Sequence, residues 1–125
     1  MAFAIDDPGD DPRRLSQAVL QITQMLGLYQ AELARILGLQ CADIGRLANG
    51  RWCLEPGSRA WDQARLLVRL QQRLYTLRQG DGAAMVHWLH VDLPEWAMSP
   101  HRLLVDEGGL PALLDYLEAC SPDPV

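Results

Sequence analysis

The sequence predicts an all-α fold, and three observations predict it. Apolar residues recur at i, i+3, i+4 and i+7 along most of the chain. Glycine and proline sit where those runs end. No stretch alternates apolar and polar residues as a half-buried strand would. With 125 residues, 49% of them hydrophobic, the chain is long enough to build its own core and too apolar to be disordered throughout.

The elements follow in order. Residues 1–12 contain Asp6, Asp7, Pro8, Gly9, Asp10, Asp11 and Pro12, and read as a flexible, solvated acidic arm. Leu15, Val19, Ile22 and Leu26 mark one face of a first helix, which Gly27 ends. Residues 30–37 form a short second helix with Leu33 and Leu37 inward, and Gly38 stands where a left-handed cap is expected. Residues 40–48 form a third helix with Ile44 and Leu47 inward, closed by the turn pair Asn49-Gly50.

Ser58 is placed to cap a long fourth helix running to about Gln79. One stripe of it carries Leu67, Leu70, Leu74 and Leu77. Another carries Arg65, Arg69 and Arg73, which read as a solvated face. Gly80-Asp81-Gly82 breaks the pattern. A fifth helix over 83–90 buries Met85, Trp88 and Leu89, with Trp88 assigned to the core. Ser99-Pro100 starts a sixth through about Asp106. Pro111 opens a last helix with Leu113, Leu114, Leu117 and Cys120 inward, and Pro122 and Pro124 prevent its continuation.

Charge is unevenly spread over a net −5. Residues 1–27 carry −2, residues 28–79 carry +4 and residues 80–125 carry −7. A basic middle suits a polyanion, whereas the acidic rear would be repelled by one. Cys41, Cys53 and Cys120 form no CxxC pair, so reduced thiols in a cytoplasm are expected rather than a disulfide framework or a zinc site. The opening residues lack the apolar run of a signal peptide, and no stretch is long enough to span a membrane. No Ser/His/Asp order, phosphate loop or carboxylate pair stands out. No catalytic residue, metal site or cofactor is therefore expected, and the chain is read as a binding protein rather than an enzyme.

Residues 26–50, LGLYQAELARILGLQCADIGRLANG, carry a more specific pattern. Ala34 lies where two helices would cross closely, Gly38 permits the tight turn, and Ile44 and Leu47 pin the following helix. That is the spacing of a helix-turn-helix, whose second helix enters the major groove. Gln30, Leu33, Ala34, Gly38, Leu39, Gln40, Ile44, Leu47, Asn49 and Gly50 together resemble the phage-repressor, Xre-type branch of that motif. In such an arrangement Gln40, Cys41, Ala42 and Arg46 would face DNA. Gln40 suits adenine, and Arg46 can reach a base or a phosphate. Gln30 and Arg51 would anchor the backbone. Asp43 opposes this, because a carboxylate is repelled by phosphates.

The rear segment adds Trp88-Leu89, Ser99-Pro100, Leu103-Leu104, Gly109, Leu113, the run Asp115-Tyr116-Leu117 and a closing hydrophobic helix. It resembles the toxin-binding domain of MbcA/ParS/Xre antitoxins, although Pro94–Met98 replaces that family's glycine-rich turn. The resemblance implies an Xre-type antitoxin that binds and blocks a RES-domain, NAD-degrading toxin and represses its own operon. It assigns toxin contact to the C-terminal region: Tyr116, Leu117, Glu118, Cys120, Ser121 and Asp123. Operator DNA, the RES-domain toxin and a second copy of the chain are the partners expected. The leucine stripe of the fourth helix is the surface on offer for a homodimer.

The expected organisation is thus an acidic arm (1–12), a helix-turn-helix domain with a long fourth helix (13–79) and a small helical toxin-binding domain with its tail (80–125). The same residues also allow a stand-alone helix-turn-helix repressor, or a protein-binding module that has lost DNA binding.

Overall fold

A computed structural model describes Ile5 and residues 8–119, and among these the chain is all-helical. Its helices are α1 (Pro12–Met25), α2 (Gln30–Leu37), α3 (Cys41–Ala48), α4 (Arg59–Leu77), α5 (Gly82–Leu89), α6 (Pro100–Val105) and α7 (Leu110–Ala119). No strand forms among the described residues; an isolated bridge between Leu93 and Met98 closes the loop before α6. No helix among them is long and apolar enough to cross a membrane.

Local chemistry explains where the helices begin. The Asp11 carboxylate accepts the backbone N–H groups of Arg13 (3.0 Å) and Arg14 (3.4 Å), and Pro12 occupies the first turn, where its missing N–H costs nothing. Ser58 caps α4 through Trp61 N–H (3.1 Å), and Ser99 caps α6 through Arg102 N–H (3.3 Å). Gly38 ends α2 with φ 74°, which lets Leu39 N–H turn back to Ala34 C=O at 2.8 Å.

α4 is the axis of the molecule. It packs on α1, α2, α5 and α7, and its contact with α7 is the most extensive between any two helices. α2 packs on α3 and on α6. The buried side chains form one continuous cluster from Ile5 to Leu117. Residues before and after Gly80 therefore share a core, and α7 depends on α4 rather than on its sequence neighbours alone.

Three sequence expectations change. The described part of the arm is not solvated throughout. Ile5 and Pro8 are buried, Gln72 Nε2 donates to the Ile5 carbonyl (2.7 Å), and Asp10 pairs with Arg65 (3.0 Å). Most of the leucine stripe faces inward, with Leu77 alone partly exposed. Leu67, Leu70 and Leu74 are fully buried within the chain, because α4 is wrapped by its own neighbours. Nor is the arginine stripe merely solvated. Arg69 Nη2 lies 2.5 Å from Glu118 Oε2, and Arg73 Nε donates to the Leu117 carbonyl at 3.1 Å. Together with Arg65, these residues tie Asp10 and the end of α7 to α4.

Candidate functional site

α2 and α3 supply the first candidate surface. Gly38, Leu39 and Gln40 join them, and Leu33, Ala34, Ile36, Leu37, Ile44 and Leu47 are buried beneath. Burial of Ile44 and Leu47 fixes the rotation of α3, because residues three apart share one helix face. The remaining positions turn outward. Gln40, Cys41, Ala42 and Arg46 are exposed, Arg51 is exposed just beyond the C-terminal turn, and Gln30 is exposed at the start of α2 beside Tyr29. Three of the six residues assigned to DNA thus lie along α3, Gln40 stands at its N-cap, and the other two are at the ends of the two-helix unit.

The electrostatics of α3 are decided by Asp43. Its carboxylate accepts the Gln40 N–H at 3.2 Å, so the helix start is capped from inside its first turn rather than by a Ser or Thr. The same carboxylate forms a hydrogen-bonded ion pair with Arg46. The Arg46 bond first, and the Gln40 N–H second, hold the Asp43 carboxyl below the usual carboxylate range. Its contribution to stability is present above the ordinary carboxylate pKa and is lost as pH falls through the lowered one. Arg46 also lies over the Trp52 ring, 5.5 Å from its centroid. Arg13, Gln17, Leu47, Trp52 and Cys53 help line a cleft of about 320 Å³ between α1 and the end of α3. Trp52 and Arg13 were not singled out from sequence. A tryptophan five residues past Leu47, the last inward leucine of α3, gives no periodic signal.

The rear surface is built differently. Trp88 is core, as expected, at 7% exposure. In the loop between α5 and α6, Leu93 N–H donates to Met98 C=O (3.0 Å) and Ala97 N–H to Leu93 C=O (2.8 Å). This places Trp96 edge-on against Tyr116, with ring centroids 5.4 Å apart. Gly109 is required by packing: a Cβ there would lie 2.5 Å from Leu103 Cγ. Gly109 N–H donates to Leu103 C=O at 2.8 Å, so the chain passes directly over the end of α6 into α7.

Of the residues assigned to toxin contact, Tyr116 is half-buried against Trp96, and Glu118 is exposed but paired with Arg69. Leu117 faces inward, as its place on the apolar stripe of the last helix predicts. It is 2% exposed and belongs to the core, because the inward face of α7 is the face that meets α4. Cys120, Ser121 and Asp123 lie outside the described residues.

The two surfaces meet through a polar seam between α2 and α6. His101 Nε2 lies 2.5 Å from Glu32 Oε2, while Glu32 Oε1 accepts the Tyr29 N–H that opens α2 (2.9 Å). Arg35 pairs with Asp106 at 3.4 Å. The His90 ring sits 5.1 Å from that of His101.

Among the described residues the protein is all-helical, and the groups described above lie on its outer faces. No protein-family model matches the chain, and no curated protein matches it.

Proposed function

We propose that the chain is the antitoxin of a two-component toxin–antitoxin system. In this reading α2 and α3 act as a helix-turn-helix that reads operator DNA, and the rear helices dock on and block a RES-type, NAD-degrading toxin. The chain itself performs no chemistry.

The observation that carries the reading is the α2–α3 unit. Buried Leu33, Ala34, Ile44 and Leu47 turn the outer face of α3 to solvent, beginning at Gln40 and Cys41. A helix presented in this way fits the major groove, and its N-terminal residues are those that meet base edges. The motif residues of the rear segment add support. Ser99-Pro100 starts a helix, Leu103-Leu104 is buried, and Gly109 lets the chain cross to α7. Tyr116, Glu118 and the Trp96 loop remain on the outside, where a partner would meet them. A homodimer on the operator would use a surface other than the α4 leucines.

Co-expression with the product of the adjacent gene tests the toxin half. Rescued growth and a co-purifying complex are the expected result, and failure of both removes it. A gel shift on the DNA upstream of the chain's own gene tests the other half. The Asp43–Arg46 pair favours one alternative, a protein-binding module that no longer reads DNA, since it leaves α3 with no net charge. Absence of a shift with and without the partner would select that alternative.

A further inference from the structure

We propose that Asp43 is an affinity- and specificity-limiting residue of the α3 surface: it latches Arg46 beside Trp52, so that Arg46 engages DNA only when the latch opens. The proposal rests on the reading of α3 as a DNA-facing helix.

Three observations meet here. Asp43 and Arg46 are the only charged residues of α3, and they are hydrogen-bonded to each other one turn apart. The Arg46 guanidinium is also placed over the Trp52 ring. The other oxygen of Asp43 accepts the Gln40 N–H, which orients the carboxylate toward Arg46. By contrast, the Arg51 guanidinium has no ion-pair partner among the described residues.

An arginine already neutralised by an internal carboxylate holds no condensed anion of its own. It also releases little from a phosphate it approaches, because Asp43 repels that phosphate. Bidentate contact with guanine through the two terminal nitrogens draws on the Nη2 that is already hydrogen-bonded to Asp43. The latch thus lowers general affinity and also withholds the one side chain on α3 best suited to guanine. Gln40 and Ala42 are left to do the reading.

Replacing Asp43 with Asn tests this. Asn keeps an oxygen for the Gln40 N–H and so keeps the cap, but it removes the charge that holds Arg46. Binding is measured by fluorescence anisotropy on two labelled duplexes, the DNA upstream of the chain's own gene and a random sequence, across a salt series. Asp43→Asn is expected to tighten binding about tenfold on the first duplex and to steepen the log–log salt slope by about 0.9, the increment for one further phosphate neutralised. Adding Arg46→Met should abolish both gains, because the freed guanidinium causes them. A circular-dichroism melt verifies folding; if Asp43→Asn is unfolded, Asp43→Ser removes the same charge and carries the same expectation. Unchanged or weaker binding by the folded variant, or a gain that survives Arg46→Met, overturns the latch. If neither wild type nor variant binds either duplex, with or without the partner protein, the DNA reading of α3 fails and the latch with it.

Discussion

α3 and α7 are short amphipathic helices of 8 and 10 residues, yet they are held in opposite ways. α3 is secured by residues close to it in sequence. Its cap and its ion pair are internal, and its apolar face rests mainly on α2. α7 is secured by residues far away. It lies along α4, and Arg69 and Arg73 reach across to Glu118 and the Leu117 carbonyl. Isolated helices of this length are marginal in water, so each depends on the surface it is packed against. The difference teaches that the outer face of α3 is open to redesign without disturbing the fold. Changes in α7 propagate into α4 and the common core. Removing α5–α7 would strip α4 of its largest helix contact, so truncation tests stability before it tests partner binding.

The contrast is open to attack by substitution. The largest effect is expected from Leu117→Ala, which should cost about 2–5 kcal/mol, as for other fully buried leucines. Gln40→Ala, on the outer face of α3, should stay within about 0.5 kcal/mol of wild type. Equal denaturation midpoints for the two variants would break the comparison. Next comes Gly109→Ala. Its Cβ would press on Leu103 Cγ at 2.5 Å, and overpacking of this kind costs about 1–3 kcal/mol. A midpoint unchanged in urea would show that α6 and α7 have room to separate.

Smaller effects sharpen the picture. Ser99→Ala removes the acceptor for Arg102 N–H and should cost about 1 kcal/mol, read as faster amide exchange over α6 with α3 unaffected. Arg69→Met keeps the stem of the side chain and loses only the exposed pair with Glu118. Pairs this open to solvent contribute about 0–1 kcal/mol, so the melting midpoint should move little and the shift should vanish in high salt. A large, salt-independent loss would mean that the pair does more than surface geometry allows.

Much of this fold is legible in the residues. The spacing of Leu15, Val19 and Ile22 gives α1, Gly38 gives the turn between α2 and α3, and Ser99-Pro100 gives the start of α6. Other signals were present but have two meanings. Asp11-Pro12 belongs equally to an acidic arm and to a helix start, and only the 3.0 Å bond from Arg13 N–H chooses between them. Leu67, Leu70 and Leu74 form the same stripe whether they face a second copy or the chain's own core. Arg65, Arg69 and Arg73 read as solvated because nothing local predicts partners at positions 10, 117 and 118. The outward residues of α3 follow from Ile44 and Leu47 being inward, so that surface was readable. Trp52 was not, because it lies beyond the helix in an aperiodic loop.

The sequence alone determines which segments are helices, where most of them stop and which face of each is apolar, because helix periodicity, caps and breakers act within a few residues. Tertiary structure decides what each face meets: α4 against α7, His101 against Glu32, the arginines against Asp10 and the end of α7. Those contacts join residues dozens of positions apart. They depend on how helices of given length and turn angle stack around one core, and no local pattern encodes that geometry.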